Sequence, residues 1–222
     1  MSFIVAIDGP AGTGKGTITK LLAKEMGLVN IDTGATYRCV ALSTIQNNIN
    51  IEETEKIIEI AKKINIDMKN NNGELTIFLD NKDVTKEIRS KEVNSIVSQV
   101  SSIKEVRFAM VEVQRNLAKG KDVIMEGRDI TTYVFPNANV KIYLDADEKE
   151  RANRRYKEML EKGINTTFEE VLKSIKARDK NDKEKEIGAL KIAEDAIYID
   201  TTNLNIEEAK NKVKDIIEKK LK

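Results

Sequence analysis

The chain reads as an α/β fold: a three-layer core around a central parallel sheet, with a small antiparallel sheet inserted in its first half. Three observations predict it. Short apolar runs alternate with amphipathic helical stretches, the pattern of a parallel sheet built from strand–helix–strand units. The first run stops at a glycine-rich turn that leads straight into a helix. Between Asn65 and Val84 the alternation gives way to three short strand-like pieces joined by tight turns.

The elements follow in order. Phe3–Ile7 is apolar throughout, as a buried parallel strand is. Lys15–Met26 places Ile18, Leu21, Leu22 and Met26 at helical spacing, with Gly27 as its C-cap. Leu28–Ile31 reads as a strand, Gly34–Ile45 and Glu52–Ile64 as helices. The antiparallel meander, 65–84, is predicted from Ile66–Lys69, Leu75–Leu79 and Lys82–Val84, separated by Asn70-Asn71-Asn72-Gly73 and Asp80-Asn81. Helices resume at Lys91–Val100 and Ile103–Lys119, and Asp122–Met125 and Val140–Leu144 read as further buried strands. Two charged helices, Asp147–Lys162 and Thr167–Lys180, lead to a last strand at Ala196–Ile199 and an amphipathic helix from Ile206. Asp145 at a strand end reads either as a magnesium-binding aspartate or, slightly better, as the cap of the helix that follows.

Composition removes whole classes of chemistry. The 222 residues suffice for one sizeable core. With 38 Lys+Arg against 37 Asp+Glu there is no global basic field to suggest nucleic acid as a partner. The chain has no histidine, so an imidazole base or metal ligand is excluded, and its one cysteine, Cys39, cannot form an internal disulfide and reads as a core residue. No apolar run approaches the roughly 18 residues of a membrane span, and no signal peptide is evident. The expectation is a cytoplasmic, monomeric protein.

Gly9-Pro10-Ala11-Gly12-Thr13-Gly14-Lys15-Gly16-Thr17 fits the G-x-x-x-x-G-K phosphate loop, between a strand and a helix as that loop requires. Glycines let backbone N–H groups turn inward around phosphate oxygens, the helix N-terminus adds partial positive charge, and Lys15 offsets charge on a departing phosphoryl group. After Lys15 comes Gly16, with the hydroxyl one place later on Thr17, so a magnesium ion is expected to be reached through water. Asn81-Lys82-Asp83 falls in a turn and is no guanine reader. The arginines of Tyr37-Arg38, Gly127-Arg128-Asp129 and Arg178-Asp179 sit in turn-like motifs suited to gripping phosphates.

Gly9–Thr17, Asp32-Thr33-Gly34-Ala35-Thr36-Tyr37-Arg38, Ser98-Gln99-Val100, Glu126-Gly127-Arg128-Asp129, Val140–Ala146 and Arg178-Asp179-x-x-Asp182 together resemble the bacterial cytidylate (CMP) kinases, in order and over nearly the whole chain. The resemblance implies a P-loop kinase fold and transfer of a phosphoryl group from ATP to CMP or dCMP, with magnesium. It implies a monophosphate-binding region at 33–107 that includes the meander, and a helical lid at about 150–165 carrying Arg151, Arg154 and Arg155. Lys15, Arg128, Arg154 and Arg178 would act on the transferring phosphate. Arg38, Arg128 and Lys185 would hold the acceptor phosphate, and Ser98, Arg107 and Asp129 the cytosine. Thr33, Tyr37, Arg178 and Asp182 would lie around the acceptor nucleoside, and Thr17 would reach the metal. The chain departs from the family pattern in four places: Glu126 stands for an aspartate, Thr131 for a glycine, Lys185 for an arginine and Ala189-Leu190 for a Pro-Leu. A kinase for UMP or AMP, or a P-loop ATPase or nucleotide-sensing module, are the competing readings.

Overall fold

A computed structural model describes residues 2–71 and 74–221. The chain runs β1 (Ile4–Asp8), α1 (Lys15–Met26), β2 (Val29–Asp32), α2 (Thr33–Gln46), α3 (Thr54–Lys63), β3 (Ile66–Asn71), β4 (Glu74–Leu79), β5 (Lys82–Asp83), α4 (Lys91–Val100), α5 (Lys104–Ala118), β6 (Val123–Gly127), β7 (Val140–Asp145), α6 (Glu148–Glu161), α7 (Phe168–Glu184), β8 (Ile197–Asp200) and α8 (Ile206–Leu221). Five strands form a parallel sheet in the order β2-β6-β1-β7-β8, and β3-β4-β5 form the antiparallel one.

Alternation along the strands sorts the core into two sides. Val5 and Ile7 of β1, Ile124 of β6, and Ile142 and Leu144 of β7 pack with α1 and α8, through Ile18, Leu22, Val213 and Ile217. Ala6, Val123 and Met125 point the other way, against Val40 of α2, Ile57 of α3 and Met110 of α5. The meander belongs to that second side: its Ile66, Met68, Ile77 and Leu79 are in the same cluster, and Asn70 donates to the Asn30 carbonyl of β2 at 3.1 Å. The turn predicted at Asn70–Gly73 reaches beyond the described residues at Asn72 and Gly73. Helices α6 and α7 have a small core of their own, Ala152, Val171 and Ile175 with the Tyr156–Phe168 edge contact.

Three differences from the expected elements have physical reasons. α7 continues to Glu184, four residues past the predicted Lys180, because Asp179 and Asp182 on its inner face are held by ion pairs. α6 is capped by Asp147, which accepts from the Lys149 and Glu150 amides; Asp145 instead accepts from the Ala146 amide and the Tyr198 hydroxyl. Two single turns, a 3₁₀ turn at Glu87–Arg89 and a π turn at Ile130–Val134, are too short to show any periodicity in the sequence.

Candidate active site

The carboxyl ends of β1, β2 and β6 converge where such sheets place their ligands. Leaving β1, the chain forms the phosphate loop with Gly9, Gly12 and Gly14 all at positive φ. A Cβ at Gly9 would lie 2.0 Å from the Leu144 carbonyl oxygen, so only glycine lets the loop pass β7. No side chain caps the N-terminus of α1, leaving the helix end to favour an anion. Lys15 is buried and curls back over the loop, donating to the Pro10 carbonyl at 2.7 Å and to Thr13 Oγ1 at 3.2 Å. Burial, then repulsion from Arg128, pulls its ammonium below the usual lysine range.

Asp32 and Glu126 face each other in the register of β2 and β6. A Cβ on Gly16 would lie 2.6 Å from Glu126 Oε1, so the glycine after Lys15 makes room for that carboxylate. Burial and the neighbouring Asp32 raise the Glu126 carboxyl above its ordinary value. Two adjacent oxygen donors beside a phosphate loop suit a hard cation such as magnesium. Thr17 is exposed on α1. Arg89 reaches Asp32 at 3.3 Å.

Across the cleft stand the arginines. Arg38 donates to Asn94 Oδ1 at 2.5 Å, and burial lowers its guanidinium below the usual value. Arg128 Nε donates to Asp182 Oδ2 at 2.8 Å, while Lys185 donates to Asp182 Oδ1 at 2.9 Å and Ser101 Oγ at 3.3 Å. Burial opposes ionisation of Asp182, but Arg128, Lys185 and Arg178 outweigh it and hold the carboxyl far below the usual range. Arg178 keeps surface open to solvent, yet its guanidinium is hemmed in by protein and by Arg128, Arg38 and Arg155, and that crowding, desolvation first and then Arg128, lowers it.

Farther in, Arg107 and Asp129 form a buried ion pair. Arg107 also donates to the Ser101 carbonyl at 3.1 Å and lies over the Tyr37 ring, 5.2 Å from its centroid. Burial pushes the Asp129 carboxyl up, with Arg107 pulling the other way. Gly188 roofs the pair: a Cβ there would lie 2.1 Å from Asp129 Oδ2. Alongside, a cavity of about 460 Å³ is lined by Ser98, Gln99, Asn181 and Lys185, among others. Thr33 is turned to β6, its hydroxyl donating to the Glu126 carbonyl at 2.7 Å.

The three arginines of α6 part company. Arg151 is buried behind the phosphate loop, donating to the Ala146 and Ala11 carbonyls and paired with Asp179 at 2.6 Å. Arg154 pairs with Glu150 and donates to the Thr201 carbonyl at 2.6 Å, beyond β8. Arg155 lies close enough to Arg38 and Arg178 to lower both, while pairing with Glu158. The structure thus gathers Lys15, Arg38, Arg128, Arg178, Asp182 and Lys185 along one cleft that leads to Arg107 and Asp129. Arg89 and Gly188 join it without having been singled out from sequence, and Asp32 and Glu126, quoted there without a role, join it as a facing pair of carboxylates. The signal for Asp32 and Glu126 was their place at strand ends.

The family model described as cytidylate kinase matches residues 5–219. The chain belongs to the cytidylate kinase family. Curated relatives span nearly all of it. The cytidylate kinase of Caldicellulosiruptor bescii is 49% identical over 98% of this chain and 96% of its own length. That of Fusobacterium nucleatum is 49% identical over 98% of both, and that of Clostridioides difficile 47% over 96% of both. A solved structure, an uncharacterized protein from Eubacterium ventriosum, shares the fold at a TM-score of 0.51 and 11% identity, over 98% of this chain and 99% of that one. The cleft of this cytidylate kinase family member carries cationic groups along its length and the buried Arg107–Asp129 ion pair at its inner end.

Proposed function

We infer that the protein transfers the γ-phosphoryl group of ATP to CMP or dCMP, giving ADP and CDP or dCDP. The observation that carries this is the buried Arg107–Asp129 pair at the end of a cationic cleft that begins at Lys15. The acceptor phosphate brings its own anionic nucleophile, so a chain without histidine needs positioning and charge neutralisation rather than a base. ATP lays its phosphates on Gly9–Thr17, with Lys15 and Arg178 on the transferring group. Arg38, Arg128 and Lys185 hold the acceptor phosphate. Tyr37 and Asp182 bound the nucleoside, near Thr33. Arg107, Ser98 and Asp129 read the base: cytosine offers an amino donor to a carboxylate, whereas uracil would present an oxygen.

Magnesium, when bound, offsets phosphate charge. Asp32 and Glu126 would hold it through water, with Thr17 at the edge of that shell. Residues 33–107 act as the monophosphate-binding region. A lid at about 150–165 closes from α6, which with α7 has its own small core; Arg155 is its arginine aimed at the cleft, and Arg154 would have to leave Thr201 to join it.

An acceptor screen tests the reading. CMP and dCMP are expected to be phosphorylated with a kcat/KM at least about tenfold above UMP and AMP. Preference for UMP or AMP would overturn the acceptor assignment. ADP formation equally fast without acceptor would overturn kinase activity itself.

A further inference from the structure

Asp8 ends β1 immediately before Gly9, and the hydrogen bonds of its carboxylate all go to the turn that follows Asp129. It accepts from the Ile130 amide at 2.9 Å, the Thr131 amide at 2.7 Å and Thr131 Oγ1 at 2.6 Å. Asp8 and Thr131 are both almost entirely buried, and water does not replace a bond lost there. The bond to Ile130 fixes the peptide that follows Asp129. The Asp129 carbonyl in turn accepts from the Tyr133 and Val134 amides, at 2.8 and 3.1 Å, closing the π turn. Asp129 is therefore held on its C-terminal side by a turn that hangs from Asp8.

We propose that Thr131 is a positioning residue for acceptor choice: its hydroxyl, held by Asp8, sets the turn that aims the Asp129 carboxylate at the base. The inference rests on the reading of Asp129 as the base-sensing carboxylate. Thr131 itself is buried, with its hydroxyl spent on Asp8. A hydroxyl bound to a buried carboxylate is worth enough that its loss lets the turn shift, and a small shift at a specificity group appears in acceptor discrimination before it appears in the phosphate chemistry. Asp8 also lies near enough to Lys15 to raise its ammonium, but it keeps the Ile130 and Thr131 amides when the hydroxyl is lost and Gly9 is fixed separately by its passage along β7, so the donor side is expected to respond less than the acceptor side.

The test uses the full chain with Thr131→Val, which keeps the shape and removes the hydroxyl, and Thr131→Ser, which keeps the hydroxyl. Steady-state kinetics with CMP and with UMP, the KM for ATP and the melting temperature are measured for each, with Asp129→Ala as reference. The CMP-to-UMP ratio of kcat/KM is expected to fall about five- to tenfold in Thr131→Val, mainly through the KM for CMP. The KM for ATP stays within about twofold, and Thr131→Ser restores the ratio. The ratio is read on one enzyme with two acceptors, so loss of folded protein cancels. If Thr131→Val does not fold, Thr131→Ala carries the same readout. A Thr131→Val enzyme with the parent ratio, or with kcat reduced equally for both acceptors, overturns the proposal while Asp129→Ala still narrows the ratio. If Asp129→Ala leaves the ratio unchanged, the base-reading role of Asp129 fails first, and that of Thr131 with it.

Discussion

Asp182 is gripped from two sides, by the Arg128 fork and by the Lys185 ammonium. In the free protein it therefore stands as counter-ion to groups that an acceptor phosphate would also seek. Lys185 is a compact point charge rather than a fork, so its removal weakens binding without abolishing the geometry Arg128 supplies. Lys185→Ala is expected to raise the KM for CMP by about tenfold and leave the KM for ATP nearly unchanged in initial-rate kinetics; a shift in the ATP constant alone would move Lys185 to the donor side. At this scale the sequence is most legible where chemistry sits inside a local motif, as with Arg128 and Asp129 in Gly-Arg-Asp. It is least legible where a partner is remote: the Asp8–Thr131 contact spans 123 positions, and nothing near either residue announces the other. Arg154 shows the converse, a residue named by resemblance that the fold occupies with Thr201.

Helix α7 brings Asp179 to Arg151 and Asp182 to Arg128 and Lys185, and carries Arg178 between them, so its placement matters more than its length. Thr167 starts it with a capping box: the hydroxyl accepts from the Glu170 amide at 3.2 Å and the Glu170 carboxylate accepts from the Thr167 amide at 2.9 Å. Because α6 and α7 have a core of their own, loss of this cap is local. Thr167→Ala is expected to cost about 1 kcal/mol and lower the melting temperature by roughly 2–4 °C. Hydrogen exchange should quicken in the first turns of α7 and stay unchanged in β1 and β6. Most element boundaries were readable because apolar periodicity and glycine caps mark them; α1 runs from Lys15 to Met26 with Gly27 left-handed at its end, as the pattern implies. The π turn after Asp129 was not readable, since a single turn has no period and this one is set by Asp8 on another strand.

Taken whole, the cleft crowds Lys15, Arg38, Arg128 and Arg178 together, and the free protein carries that repulsion. Lys15 is lowered from the 10.5 of a free lysine by burial and by Arg128. Its unfolded counterpart binds the proton more tightly, so burial of Lys15 weakens the fold most at low pH. That loss is recovered as pH rises through the window between its lowered value and 10.5. Glu126, raised, works in the opposite sense, losing stability as pH rises above the ordinary glutamate value of 4.5. On the proposed reading, ATP would reverse the Lys15 shift by bringing anionic oxygens to it. Magnesium-free ATP is therefore expected to bind with proton uptake at about pH 8, seen as a binding enthalpy that changes with the ionisation enthalpy of the buffer. A buffer-independent enthalpy would mean that Lys15 is fully charged before ATP arrives. The arrangement of the whole was visible in the alternation of strands and helices; the proximity of these charges was not, because it arises from strand order, β2-β6-β1, rather than chain order.

The Arg151 brace carries a further consequence. Its guanidinium holds the Ala11 carbonyl of the phosphate loop and Asp179 of α7, and its backbone lies against Gly12. A single side chain thus bridges the phosphate loop and the helix that carries Arg178 and Asp182. On the proposed reading, a rearrangement of the loop favoured by ATP would be transmitted to α7 as a change in the free energy of filling the other half of the cleft. Such a coupling is reciprocal: whatever factor ATP imposes on acceptor affinity, the acceptor must return on the affinity for ATP.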